Sequence, residues 1–271
     1  NDEKKKTFGL NKVKATQKDF KQVLKTVLFS SEDLMLLRGV PEDGRKWLDR
    51  AISQIYSLYD ERLSKYEKIR TQKNNLLKDE KFDKNLLEVY NEQLAIAGSN
   101  VIFLRKKYLS EIEKIAQKKH SKISEEEKLK MVYSSTFELG ETIEEILENY
   151  KNSLEENYTE EIRRSQSLIG PHRDDIIFFI NDKESTKFAS QGQQRTIVLS
   201  LKMAELQVVK DEIGESPILL LDDFMSELDE KRRRKFLESI KENQVIITCT
   251  DKLNIPYLDY KEYNVKKGEV I

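Results

Sequence analysis

The sequence predicts an α/β protein accompanied by a long helical stretch, and three observations predict it. Pro217 opens the run Ile218-Leu219-Leu220-Leu221, short and continuously apolar, which suits a parallel strand covered on both faces. A second apolar run, residues 244–250 (QVIITCT), ends in hydroxyls. Upstream of both, Leu199, Met203, Leu206 and Val209 recur at three- and four-residue spacing, the mark of a helix with one apolar face. Helix and strands of this kind build a layered sheet, and open α/β sheets bind ligands at the carboxyl ends of their strands.

Taken in order, residues 1–30 combine Lys4, Lys5 and Lys6 with short strand-like pieces, among them Val27-Leu28-Phe29. From Glu32 the spacing turns helical. Ile52, Ile55, Tyr59, Leu63, Tyr66 and Ile69 form one series and Val101, Leu104, Tyr108, Ile112 and Ile115 another, predicting an antiparallel helical pair whose tyrosines serve as core. Gly98-Ser99 reads as a helix stop, residues 121–124 as a loop, and Ser124-Glu125-Glu126-Glu127 as a capped helix start with an acidic first turn. The glutamates from Glu138 to Glu161 read as a solvated helical face, and with no His or Cys among them a zinc site is rejected. Strand signals return near Arg163, and Ile176-Ile177-Phe178-Phe179-Ile180 followed by Asn181-Asp182-Lys183 predicts a hairpin. His172 reads as a hydrogen-bonded structural histidine, and Arg173 as the ion-pair partner of Asp174-Asp175.

The chain's 271 residues suit one or two domains with a sizeable core. Lys+Arg at 48 against Asp+Glu at 49 leaves a net charge of −1, which excludes a globally basic nucleic-acid binder. Local basic faces remain at Arg105-Lys106-Lys107, at Lys118-Lys119-His120 and at residues 231–235 (KRRRK). Each reads first as a solvated helix face; as phosphate contacts they would give salt-sensitive, sequence-independent binding. The single cysteine, Cys249, forms no intramolecular disulfide, so a reducing cytoplasm is the natural assignment. No apolar run approaches the roughly 20 residues that span a bilayer, and no membrane partner is expected.

The chemistry concentrates in residues 190–250. Asp222 and Asp223 follow the Pro217 strand at once, and Mg²⁺ takes one or two such carboxylates together with phosphates. Asp222 therefore reads as the metal ligand, directly or through water, and Asp223 as the group that polarises an attacking water. The alternative is that the pair ends a strand and caps the next element. Ser190-Gln191-Gly192-Gln193-Gln194 opens the apolar-faced helix, and a serine beside a glycine at a helix start makes an anion site from unpaired N–H groups and the positive end of the dipole. An ordinary serine N-cap is the plainer possibility. Ser226-Glu227-Leu228-Asp229 turns after the carboxylates, and Thr248 and Thr250 end the second strand.

In this order the motifs resemble the carboxyl-terminal half of ABC-type ATPases, and SQGQQR, PILLLDD and SELD look specifically like the RecF family, relatives of SMC proteins. Residues 168–175 (LIGPHRDD) are similar to that family's GPHRDD segment. Ser31-Glu32-Asp33-Leu34, and Arg38-Gly39 and Pro41 through Leu48-Asp49, resemble its PEDL and GxPxxRRxxLD segments. Departures are small: Ser31 replaces a proline, Lys46 an arginine and Tyr90 a tryptophan. The resemblance implies an α/β, ABC-type (P-loop NTPase) ATPase lobe, discontinuous, built from residues 1–30 and 163–271 with a mainly α-helical lobe at 31–162 inserted. It implies ATP and Mg²⁺ as cofactors, with Asp223 catalytic and Asp222 on the metal. Ser190, Gln191, Gly192 and Gln193 become a signature presented in trans, Ser226 and Asp229 a D-loop, and Thr248 and Thr250 the end of a switch strand.

The same resemblance implies an ATP-dependent, head-to-tail homodimer that clamps gapped or junction DNA without sequence specificity and releases it on hydrolysis. It further implies work with RecO and RecR in placing RecA. The alternatives are a non-catalytic DNA or RecR docking module and an ATPase subunit of another ABC-type system. One departure is large: no GxxxxGK[ST] loop occurs in the sequence, and without its N–H groups and lysine the β- and γ-phosphates lack a cradle. The 271 residues therefore read as a fragment without its amino-terminal P-loop portion, expected to bind nucleotide poorly alone.

Overall fold

The computed structural model describes residues 7–16, 19, 23–223, 228–250 and 259–271. In chain order its elements are β1 (Phe8–Leu10), β2 (Val13–Ala15), β3 (Thr26–Ser30), a 3-10 turn (Ser31–Leu34), α1 (Met35–Arg38), α2 (Pro41–Ile55), α3 (Tyr59–Leu76) and α4 (Lys84–Ile123). There follow β4 (Leu129–Ser134), α5 (Ile143–Glu156), α6 (Tyr158–Arg164), β5 (Asp175–Ile180), β6 (Lys183–Glu184), α7 (Ser185–Phe188) and α8 (Gln191–Ile213). The chain closes with β7 (Ile218–Asp222), α9 (Glu230–Ile240), β8 (Val245–Thr248), β9 (Val265–Lys266) and β10 (Glu269–Val270). The lysines Lys4, Lys5 and Lys6 lie outside the described residues, and among those described no helix is long and apolar enough to cross a membrane.

The sheet that matters for the site is parallel, in the order β3-β7-β8. Alternate residues of a strand face opposite ways. Val27, Phe29, Leu219 and Leu221 are buried on one face, where Phe29 meets Phe236 of α9 with ring centroids 5.0 Å apart. The opposite face departs from the expectation of a strand covered on both sides. Leu28 and Ile246 flank Leu220 in register and are 44% and 53% exposed among the described residues, whereas Phe29 on the other face packs on Phe236 of α9.

An antiparallel helical pair forms, α3 running against α4: Tyr59 meets Arg105, Arg62 meets Asn100, and Tyr66 lies by Gly98. The first predicted series is split, however, since Ile52 and Ile55 lie in α2, which ends at Ile55 with Tyr56 extended, and α3 starts at Tyr59. Three further expectations there are corrected. Gly98-Ser99 is no helix stop but sits inside the 40 residues of α4, where a Cβ on Gly98 would come within 2.5 Å of the Tyr150 ring. The glycine is a point of close packing, and Ser99 returns its hydroxyl to the Ala95 carbonyl at 2.6 Å, satisfying it inside the helix. Residues 121–123 belong to α4 and not to a loop, and Ser124-Glu125-Glu126-Glu127 opens no helix: it leads into β4. Leu129 and Met131 are buried while Lys130 is exposed, a two-residue alternation that makes a strand. β4 pairs with β5, and β5 turns into β6 as the hairpin that the sequence predicts, but through two residues, Asn181 and Asp182, both with positive φ (48° and 62°), since Lys183 of the predicted turn already pairs with Ile180.

The LIGPHRDD segment docks α3, α4 and α5 together. Gly170 has φ +124°, and a Cβ there would collide with the Tyr150 hydroxyl, which donates to the Ile169 carbonyl at 2.9 Å. Buried Arg105 donates to the Pro171 carbonyl at 2.6 Å and forks onto both Asp49 oxygens at 2.8 and 2.9 Å. His172 is hydrogen-bonded as expected: its Nε2 faces the Ser167 carbonyl at 3.1 Å and its Nδ1 the Tyr66 hydroxyl at 2.6 Å. A carbonyl only accepts, so Nε2 carries the hydrogen and Nδ1 accepts from Tyr66. Arg173 departs from the sequence reading: it is exposed and pairs with neither aspartate, since Asp174 is buried and accepts from the Tyr133 hydroxyl at 2.6 Å. Burial raises Asp174 to about 6 and lowers His172 to about 3.

Two measurements check this account. Phe29→Ala should destabilise the chain by about 3–5 kcal/mol in chemical denaturation while Leu28→Ala costs under about 1 kcal/mol, since only the first empties a core position. For His172, the folded group sits below its unfolded value of 6.5, so its stabilisation is complete above that pH and is lost as pH falls toward about 3. The stability advantage of the native protein over His172→Gln should therefore shrink steadily on acidification below 6.5. A difference that stays flat with pH would contradict a neutral, buried imidazole.

Candidate functional site

Three parallel strands end together, and their register decides what meets there. Ser30 lies opposite Asp222, and Asp222 opposite Thr248. The Thr248 hydroxyl donates to Asp222 Oδ1 at 2.6 Å, which fixes one carboxylate oxygen. Asp223 leaves the strand with φ +49°, a left-handed conformation that a short polar side chain tolerates. Its N–H still reaches the Thr248 carbonyl at 3.1 Å, so the bend is tied to β8. Asp222, Asp223, Thr248 and Thr250 are all exposed at this edge. The donors are hard oxygens, a carboxylate steadied by a hydroxyl with a second carboxylate next to it, and Mg²⁺ accepts such a set because it completes its shell with water and phosphate. Among the described residues no group of three or more His, Cys, Asp or Glu could hold a metal ion.

The second group of predicted residues lies at the start of α8. Ser190 is the N-cap: its Oγ accepts from the Gln193 N–H at 3.3 Å, and Gln193 Oε1 accepts from the Ser190 N–H at 2.8 Å. This reciprocal capping box orders the turn. Helix geometry leaves the N–H groups of Gln191 and Gly192 without intrahelical acceptors, and Ser190 and Gln191 are exposed. The Arg232 guanidinium lies beside Gly192, where a Cβ would stand 3.6 Å from Nη2, an ordinary contact. The plain N-cap and the anion-facing turn are thus compatible roles of one serine.

Of the predicted D-loop, Ser226 lies outside the described residues. Asp229 caps α9, its Oδ1 accepting from the Arg232 N–H at 2.9 Å, while its Oδ2 pairs with the Arg232 guanidinium. Arg232 Nε then donates to Thr196 Oγ1 at 2.9 Å, so one arginine joins the end of this loop to the first turns of α8. Arg38 Nε donates to Gln194 Oε1 at 2.7 Å, and Gln193 Nε2 donates to Glu127 Oε1 at 3.0 Å.

Sequence reasoning missed these supports. Arg232 was legible, standing three residues after a capping aspartate. Glu127 and Arg38 were not, because their partners lie 66 and 156 positions away.

The basic clusters are also reassigned in part. Arg105 and His120 are buried and Arg232 is engaged, leaving Lys107, Lys118 and Arg234 exposed. Arg105 neutralises Asp49 inside the helical core, and His120 packs against α8 through Ser200. Neither offers its charge to a partner.

No family model matches the chain. It is 40% identical over 277 residues to the DNA replication and repair protein RecF of Alkaliphilus oremlandii, covering 100% of this chain and 76% of that protein. With the protein of the same name from Staphylococcus carnosus it shares 38% identity over 259 residues, 92% of this chain and 70% of the relative. Among solved structures it is similar to the recombination mediator protein RecF-ATPrS in the RecFOR pathway, with a TM-score of 0.87 and 34% identity over 96% of this chain and 71% of that one. The corresponding RecF-ATP structure gives 0.84 and 35%, over 92% and 68%. Identity at this level over most of both lengths, on the same fold, means that the chain belongs to the RecF family of DNA replication and repair proteins.

Proposed function

We propose that this chain forms part of an ATP-hydrolysing, DNA-binding recombination mediator. The observation that carries the reading is the strand register that sets Ser30, Asp222 and Thr248 side by side, with Asp223 one residue on. Relatives solved as RecF-ATP and RecF-ATPrS support a nucleotide as the ligand. Asp222, its Oδ1 held by Thr248, is the metal ligand. A Mg²⁺ ion held there would supply positive charge to the phosphate oxygens during transfer. Asp223 orients the attacking water and accepts its proton. The cradle for the β- and γ-phosphates comes from outside these 271 residues, whose sequence has no GxxxxGK[ST] loop.

Ser190, Gln191, Gly192 and Gln193 face the nucleotide held by a second copy, where N–H groups and the helix dipole meet the γ-phosphate. Asp229, with Ser226, completes the same subunit junction, and Thr248 and Thr250 sense the phosphate at the strand end. ATP thereby joins two subunits head to tail around DNA, and hydrolysis releases it. DNA is held by its phosphates and not by base edges, with RecO and RecR as partners in placing RecA at gapped or stalled DNA. The residues 1–30, 31–162 and 163–271 divide the work, the first and last forming the ATPase lobe and the middle the helical lobe. The reducing cytoplasm is the compartment this reading requires.

In the full-length protein, Asp223→Asn should keep ATP binding within a few-fold while lowering hydrolysis by about 10²–10⁴, because an amide of equal size cannot take the proton. Nucleotide titration and steady-state hydrolysis read the two separately. Hydrolysis at the native rate would place the base elsewhere.

A further inference from the structure

We propose that Glu127 is a positioning residue for the turn at Ser190, setting its geometry from the end of the long helix α4. The inference rests on the reading above that this turn faces nucleotide. Gln193 joins the two. Its Oε1 accepts from the Ser190 N–H at 2.8 Å, and its Nε2 donates to Glu127 Oε1 at 3.0 Å. An ionised carboxylate only accepts, so Glu127 dictates which end of the Gln193 amide points where, leaving the oxygen for Ser190. The Ser190 N–H, which only donates, asks for the same orientation, so Glu127 locks from the far end an amide placement that the capping box already favours.

Glu127 is itself held. Its other oxygen, Oε2, lies 3.1 Å from Nε2 of His120, which sits in the last turn of α4 and is fully buried. The same acceptor logic puts a hydrogen on that nitrogen. His120 Nδ1 meets Ser200 Oγ at 3.2 Å, and Ser200 is fully buried in α8. The last turn of α4 and the connection after it therefore hold α8 at two places, His120 at Ser200 and Glu127 at Gln193 two turns earlier. The other supports of the first turns, Arg38 through Gln194 and Arg232 through Thr196, come from α1 and α9. Glu127 is the support that comes from the α4–β4 connection, so a displacement of α4 reaches the serine through two hydrogen bonds. A carboxylate near the helix start also favours the dipole, and with both oxygens engaged it is turned toward its donors and not toward an incoming phosphate.

The test uses amide hydrogen exchange and ATP-dependent pairing in the full-length protein. Glu127→Ala should speed exchange at the Ser190 amide about ten-fold and raise the protein concentration for half-maximal pairing by about the same factor, the loss expected for one charge-assisted hydrogen bond. The double exchange E127Q with Q193E should restore native exchange at the Ser190 amide. Glutamate at 193 can still accept from Ser190, and glutamine at 127 can donate to it while accepting from His120. That rescue separates positioning from a general loss of stability. Unchanged Ser190 exchange in Glu127→Ala would overturn the proposal, as would normal pairing in a protein whose pairing Ser190→Arg abolishes. If Ser190→Arg itself pairs normally, the nucleotide-facing reading of the turn fails, and exchange at Ser190 still decides whether Glu127 holds it.

Discussion

Parallel pairing of β3, β7 and β8 is the constraint on which the rest depends. Asp222 is useful because its strand is central: a neighbour on one side supplies Thr248 at hydrogen-bond distance and on the other Ser30 in register. A one-residue slip of β7 would exchange its two faces, bringing Leu219 and Leu221 out of the core and Leu220 in. The same event would separate Asp222 from Thr248. Burial of Phe29, Leu219 and Leu221 therefore fixes the chemistry as well as the fold, since the register that fills the core is the register that assembles the edge.

Helix α8 carries this order outward. Its middle is anchored by a buried polar cluster in which Lys202 lies 3.1 Å from Glu205 and 3.6 Å from Asp33, while the Trp47 indole donates to Glu205 at 3.2 Å. Asp33 in turn accepts from the Ser30 N–H at 2.8 Å, at the end of β3. Groups this buried hold their geometry only when paired, and removing one partner leaves the others charged and desolvated. The sheet edge and the Ser190 turn are thus linked through one helix: Asp33 and Lys202 behind, Arg232 and Asp229 beside, Glu127 in front.

Much of this was legible in the sequence where the signal is local. The Ser190 cap, the Asn181-Asp182 turn, the strand before Asp222 and the antiparallel helices each follow from residues within a few positions of one another. What failed was non-local. Gly98-Ser99 looks like a helix stop because glycine usually is one, and only the distant Tyr150 ring explains why a residue without a Cβ sits inside α4. Arg105 looks like part of a basic surface, yet Asp49 and the Pro171 carbonyl lie 56 and 66 positions away and draw it into the core. β4 carried its alternation openly at Leu129, Lys130 and Met131, but the acidic run before it imitates a capped helix start. The open face around Leu28 and Ile246 could not be read at all, since an apolar residue gives no sign of which side of a sheet is covered.

The central claim is that Asp222, steadied by Thr248, is the metal end of a nucleotide site. Its most direct test is the Mg²⁺ dependence of nucleotide binding by the full-length protein, followed by titration with a fluorescent ATP analogue with and without the ion. The account predicts that Asp222→Asn binds the analogue as the native protein does when Mg²⁺ is absent, and loses most of the tightening that Mg²⁺ brings, about ten-fold or more for one charged ligand. A variant that keeps the full Mg²⁺ enhancement would contradict it.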